Sequence, residues 1–578
     1  MRRVFLTLAL AILTLCTYAQ EDLTTLFEKS GGTETPPYHE VIAYFKKLSE
    51  AYPKQIKMKP VGKTDSGEPL HLVIYNAEGV FDFDQIHAAG KPVLFVNNGI
   101  HPGEPDGIDA SMMLLRDMAS GKVVNKEVVV AFVPVYNIGG HLNRSAFNRV
   151  NQNGPIESGF RGNAQNLNLN RDFMKADALN TLAFYEIFHE LKPDYYIETH
   201  VSNGADYQHV MTLLPTQHNK LGGTLGDYLK QEMLPYLYAD MKQKDFPMIP
   251  YVNAYGATPE NGWAQFNDPP RFSSGFAALF HTIGFITETH MLKPYDQRTA
   301  STYEFIRTVI ESAKQDGARV KEMRKSTANA VKTQKDFALE YVPNREKPSK
   351  IAFMGYEAAY KPSEISGKPR LYYDRTKPFT KEINFYDHFE PRLIIEKPKA
   401  YIIPQGWHEV IGLLEKNGVQ LSRLTEDQEV EVGTYYIEDF KTASSPFEKH
   451  YLHSDIKVRK VSQKVKFRKG DYRIELNQSA NRYIIEALEP QGPDSFFAWN
   501  FFDAILASKE GYSAYIFEDL AAEWLAQNPA IQKELEAAKA ADDKLAENGN
   551  AQLRWVYERS PWKEKEHMRY PVFRVEGN

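Results

Sequence analysis

The rhythm of apolar and polar positions changes once along this 578-residue chain. Up to about residue 300, short and nearly unbroken apolar runs at 93–96, 128–133, 195–197 and 284–287 are separated by stretches with a helical repeat. In one of these, Ile108, Met112, Leu115 and Met118 recur every three or four positions and fall near one helix face; residues 181–191 predict a second helix. A strand that is apolar at successive positions is buried on both faces. The pattern therefore predicts an α/β layer structure, a mainly buried sheet flanked by helices. A helix over 301–337 closes this part. Residues 340–349 are polar and carry prolines, which predicts a boundary.

Beyond the boundary the texture is different. Residues 370–373, 400–403, 430–432, 457–467 and 472–476 predict many short strands, and 518–547 a charge-laced helical segment. The expected organisation is an α/β domain over 20–340 and a β-rich accessory domain over 341–578. Residues 1–19 stand apart. Met1-Arg2-Arg3 precedes an apolar run from Val4 to Cys16, and small residues end at Ala19. This predicts a secretory signal cut after Ala19, and hence a periplasmic or secreted protein without stable membrane insertion. Cys16 is the chain's single cysteine. A mature chain cut at that point has no disulfide, thiolate ligand or cysteine nucleophile. The net charge of −6 argues against a general nucleic-acid footprint.

Chemistry concentrates where the apolar runs end. Phe95-Val-Asn-Asn-Gly-Ile-His101-Pro-Gly-Glu104 places an imidazole and a carboxylate three residues apart, directly after an apolar run. Tyr196-Ile-Glu-Thr-His200 offers a second imidazole after another. Two His and one carboxylate, with a fourth position for water, make the ligand set of a hydrolytic zinc site, one Zn2+ per chain. Sites in open α/β sheets gather at the carboxyl ends of strands, and these residues sit there.

His101-Pro-Gly-Glu104, then Leu169-Asn-Arg-Asp172, Thr199-His200 and a strand-borne Glu288 follow one another in the order of the zinc carboxypeptidase family, which the chain resembles from about residue 36 to 300. The resemblance implies a mixed central sheet and a zinc-dependent metallocarboxypeptidase acting on the C-terminal bond of a peptide or cell-wall peptide. It implies Glu288 as general base, with Arg161 favoured over Arg149 as oxyanion donor. Asn170 and Arg171 would hold the substrate's terminal carboxylate, for which a guanidinium fork is suited. Arg271, in Arg271-Phe-Ser-Ser-Gly275, is a candidate wall of the specificity pocket that would favour an acidic group. Tyr251, Tyr255 and Phe272 compete for the family's substrate-contacting tyrosine position. The chain departs from the family pattern at Asn168 and Asp172, where relatives often carry Asp and Asn. Two further readings are an amidase or deacylase on cell-wall peptides or N-acyl amino acids, and a binding protein that works through the aromatics of Asp494-Ser-Phe-Phe-Ala-Trp-Asn500. Oligomeric state is not legible.

Overall fold

In the computed structural model, residues 23–254 and 258–577 are described. The expected signal segment, Cys16 and Tyr255 lie outside these residues. The first part of the chain builds an eight-stranded sheet from β1 (Ile56–Val61), β2 (Leu70–Tyr75), β3 (Val93–Asn97), β4 (Val129–Val133), β5 (Tyr195–Ser202), β6 (Met211–Pro215), β7 (Ile249–Pro250) and β9 (Ile283–His290), in the order β1-β2-β4-β3-β5-β9-β6-β7. The centre, β4-β3-β5-β9, is parallel, while β1, β2 and β6 pair antiparallel, so the sheet is mixed. All five residues of β3 and of β4 are buried, which is why they read as unbroken apolar runs.

Helices cover the faces. The helix Asp106–Ala119 (α1) buries Ile108, Met112, Leu115 and Met118, the stripe seen in the sequence, and carries Asp106 and Asp109 in its first turn, where negative charge favours the helix dipole. It lies flush on the sheet because residue 107 is glycine: a Cβ there would stand 2.1 Å from Thr199 Oγ1. Leu179–Leu191 (α2), Ser273–Leu279 (α3) and the 39-residue Tyr295–Thr333 (α4) complete the layers. The helix expected at 301–337 thus starts at Tyr295, where Pro294 is its N-cap residue. Its first turn is anchored by Arg298, which is fully buried and paired with Asp106 at 3.0 Å.

The second part is less separate than its composition suggests. β10 (Asp336–Pro343) pairs with β13 (Phe389–Glu396), and β11 (Ser349–Pro362) pairs with β12 (Pro369–Tyr386) in a long hairpin. β12 then adds in parallel to β8 (Trp263–Ala264), a strand of the first part. A six-stranded sheet holds β14 (Ala400–Ile403), β16 (Gln428–Thr442) and β17 (His453–Phe467), with three short strands. The many short strands expected here include ribbons of 14 to 18 residues. Helix Asn481–Leu488 (α5) brings Tyr483 against Phe276 and Phe280 at ring-centroid distances of 6.3 and 5.5 Å. One hydrophobic core therefore runs from Tyr38 to Val572. Among the described residues, no helix is long and apolar enough to cross a membrane.

Candidate metal centre and cleft

The strand ends place the donors. β3 runs into the turn carrying His101 and Glu104, and β5 presents His200. One ligand atom from each of these three buried residues lies within 4.8 Å of the others. Gly103 is what lets the turn close: a Cβ on it would meet Arg149 Cγ at 2.8 Å and the Gly159 carbonyl oxygen at 3.1 Å.

Neighbouring groups aim the imidazoles. Asn168 Oδ1 lies 2.9 Å from His101 Nε2 and also accepts from the Asn170 backbone N–H at 3.1 Å. An oxygen already accepting makes Nε2 the protonated nitrogen and leaves the Nδ1 lone pair facing the other donors. Arg161 Nη1, 3.1 Å from Nδ1, is placed to donate to that lone pair. Burial pushes the His101 pKa down to about 4, with Glu104 opposing, so the ring is neutral and fit to bind a metal. His200 lies between two carboxylates, Nδ1 at 3.0 Å from Glu104 and Nε2 at 2.9 Å from Glu198. Burial works against its charge, yet Glu104 and Glu198 raise its pKa to about 10. A cation at Nδ1 would replace that proton beside the same carboxylates. Two imidazoles and a carboxylate, oriented in this way, fit zinc.

Glu198 is the site residue that sequence reasoning missed. Tyr196, Ser273 and Asn97 donate to it at 3.0, 2.6 and 3.2 Å. Its signal was its place two residues before His200 on a strand, hence on the same face.

A cavity of about 520 Å³ opens over the donors, and Arg149, Arg161, Asn170, Arg171 and Glu288 line it with them. Glu288 is half-buried on β9, its pKa raised to about 7 by burial against the pull of His200. Lys293 and Arg298 are the salt-bridge partners that the sequence offers Glu288 instead of a role in the cleft; among the described residues neither pairs with it, Arg298 pairing with Asp106 and Lys293 lying over the Tyr356 ring. Arg149 is committed to protein: it donates to Glu104 at 2.9 Å, to Gln152 at 2.9 Å and to the Val201 carbonyl at 3.2 Å. The Arg161 side chain is 44% exposed and, among the described residues, reaches His101 at 3.1 Å and Glu104 at 3.5 Å. Arg171 stacks on the Phe272 ring at 4.1 Å, and among the described residues no carboxylate pairs with it. Burial, with Arg161 and Arg271 nearby, lowers its pKa to about 10. Asn170 Oδ1 is buried without a hydrogen-bond partner.

Several expected residues sit elsewhere. Arg271 is not a cleft wall. Its Nε is 2.7 Å from Asp494, its Nη2 donates to the Pro493 carbonyl at 3.0 Å, and it packs over Trp499. A charge already neutralised by Asp494 leaves nothing to select an acidic side chain. The neighbouring Phe272 takes the wall position, together with Leu214, Tyr251, Phe266 and Ile286. The aromatics of 494–500 form no ligand surface, because Phe496, Phe497 and Trp499 are fully buried. Asp172 is a fold residue: it is fully buried and holds Lys175 at 2.6 Å, Thr181 at 2.5 Å and the amides of Asp177 and Ala178 at 3.0 Å. His290 faces Asp206 at 3.5 Å and packs on Tyr207, away from the cleft lining.

Residues 41–239 match the family model described as zinc carboxypeptidase. The match spans about a third of the chain and makes this segment zinc carboxypeptidase-like. The match includes the three metal donors, Arg149, Arg161, Asn170 and Arg171; Glu288 lies beyond it. Carboxypeptidase 2 of Trichophyton rubrum is 29% identical over 111 residues, 18% of this chain and 20% of that protein. Carboxypeptidase 2 of Trichophyton tonsurans is 29% identical over 104 residues, 17% of this chain and 18% of that one. The alignments thus span about a fifth of these curated relatives' length. Among solved structures, carboxypeptidase A from Helicoverpa armigera aligns with a TM-score of 0.38 at 14% identity, covering 49% of this chain and 74% of that one.

Proposed function

We propose that the protein is an exported zinc metallocarboxypeptidase that removes an uncharged, apolar residue from the C-terminus of a peptide. The observation that carries this reading is Arg171: a largely buried guanidinium with which no carboxylate among the described residues makes an ion pair, lining the same cavity as the metal donors and Glu288. Such a cation is costly to leave unanswered unless a ligand brings the negative charge. Asn170, with its free buried oxygen and its amide group, lies beside it in the lining.

Zinc held by His101, Glu104 and His200 would supply Lewis acidity to the scissile carbonyl and to water. Glu288 takes the proton of the attacking water and returns it to the leaving amine. Its raised pKa suits both directions of transfer near neutrality. Arg161, exposed and bound to few protein groups, is the oxyanion donor, whereas Arg149 braces Glu104. Leu214, Phe266, Phe272 and Ile286 give the terminal side chain an apolar surface, which supports the preference for an uncharged residue. Export rests on the Arg2-Arg3 and Val4–Cys16 pattern.

The test is hydrolysis of a panel of peptides with free and amidated C-termini, muropeptide stems and N-acyl amino acids, with removal and restoration of zinc. Zinc-dependent release of a C-terminal Leu or Phe from free peptides is expected. Cleavage confined to muropeptides or N-acyl amino acids would replace the peptidase reading with an amidase or deacylase.

A further inference from the structure

The loop that orients the metal donors is gripped by the accessory part of the chain. Between β16 and β17, Phe447 and His450 pair across a two-residue turn, with reciprocal backbone hydrogen bonds of 2.7 and 3.1 Å. The turn residues Glu448 and Lys449 have φ of +47° and +75°, a left-handed conformation normally left to Gly or Asn. A turn that holds two such residues at its tip spends backbone energy on presenting side chains. Glu448 Oε2 accepts the backbone N–H of Asn168 at 2.7 Å. Asn168 is in turn the residue whose side chain meets His101 Nε2 and caps the short turn leading to Asn170 and Arg171.

The rest of the turn is fixed to the same loop. His450 Nε2 lies 2.8 Å from Asp177, and Lys449 lies 3.6 Å from it. Asp177 and Asp172 share Lys175. Phe447 and His450 pack on Trp499, at ring-centroid distances of 6.2 and 5.6 Å. Trp499 also lies under Lys175 and Arg271.

We infer that Glu448 is a positioning residue for the metal centre, through which the accessory region sets the orientation of Asn168 and hence of His101. The inference rests on the metal reading above. The carboxylate fixes the Asn168 backbone, the Asn168 side chain fixes the tautomer and angle of His101, and the same loop carries the groups assigned to the substrate carboxylate. The accessory region therefore acts on the cleft through the loop that carries these groups.

The test uses the full chain with three variants. Glu448→Ala removes the acceptor, Glu448→Gln keeps an acceptor of the same length, and Lys449→Gly relieves the turn while keeping the carboxylate. Zinc affinity is read by competition with a chromophoric chelator, and backbone order at 168–171 by hydrogen exchange of the metal-free protein. Glu448→Ala is expected to weaken zinc about tenfold, the lower end for an outer partner of a metal ligand, and to speed exchange at Asn168. Glu448→Gln should recover most of both, and Lys449→Gly should match wild type. Zinc affinity within twofold of wild type in Glu448→Ala overturns the inference, even if exchange at 168–171 quickens. A loss of affinity that Glu448→Gln does not recover overturns the specific role of the acceptor. A wild-type chain that binds no zinc overturns the metal reading itself, and this inference with it.

Discussion

His200 on β5 and Glu288 on β9 are register partners on neighbouring parallel strands. A metal donor and a carboxylate thus reach the cleft side by side, each fixed by the sheet rather than by a loop. Among the described residues, no hydrogen bond or ion pair joins the Glu288 side chain to the donors. Glu288→Gln is expected to retain zinc and thermal stability while kcat falls by about 10²–10⁴, the usual weight of a general base. Turnover within a few-fold of wild type would remove Glu288 from the mechanism.

The role proposed for Arg171 predicts how the substrate's chain end is read. Arg171→Ala should lower kcat/KM on free peptides by about 10²-fold or more, the scale for losing one partner of a desolvated charge pair. Wild type should treat a C-terminally amidated peptide equally poorly, and the variant should lose little further on it. A variant that discriminates between the free and amidated peptides as strongly as wild type would place the carboxylate site elsewhere.

The contact from Asn168 to His101 gives a prediction of opposite sign. An amide oxygen orients the imidazole but adds no charge to it. Asn168→Asp should tighten zinc binding about tenfold by making His101 a more basic ligand. Chelator competition measures it; unchanged or weaker binding would show that Asn168 matters for geometry alone.

The first half of the fold and the donors were legible because their signals are local. β3 and β4 are buried on both faces, and their apolar runs announce them. His101 and Glu104 sit three residues apart, and Glu288 ends an apolar run. The long ribbons β11, β12, β16 and β17 were read as fragments, because many of their residues face solvent and their polar stretches hide continuous strand. Arg271 was misplaced for a different reason. Its fate depends on Asp494, more than two hundred residues away, and no spacing rule couples the two. The same holds for Glu448.

Buried acids in α5 and in the loop before α3 predict how stability varies with pH. Glu486 is buried, and burial raises its pKa to about 7 despite Lys220 and Arg482; Asp268 is raised to about 6 for the same reason. A raised folded-state pKa means that the folded protein binds protons more tightly than the unfolded chain. This stabilisation is complete below the ordinary carboxylate range and is lost as pH rises through about 7. These two acids should therefore pull Tm down between pH 5 and pH 8, against the rise contributed by the buried His141, His209 and His281, whose lowered pKa values favour the folded state as pH climbs through the ordinary imidazole range. Glu486→Gln should remove part of that pull and be more stable than wild type at pH 8. An unaltered slope in the variant would assign the effect to other groups.

The continuous core predicts the outcome of cutting the chain at residue 340. Removing the accessory part would strip β8 of its partner strand, uncover Phe276 and Phe280, and unpair Arg271. A chain ending there is expected to be insoluble or to melt without cooperativity in calorimetry. A cooperative transition with intact zinc binding would mean that the first part is an autonomous domain.

The three donors and Glu288, the proposed base, span residues 101 to 288 and come together where β3, β5 and β9 lie alongside one another. No partial unfolding that separates those strands can keep the ion. Zinc occupancy consequently doubles as a quality mark: a molecule that has loaded its metal has completed its central sheet. By mass action, free zinc at a hundred times its dissociation constant would deepen the folded state by about 3 kcal/mol. The local supply of metal then sets how long the fold lasts as well as how well the site is armed.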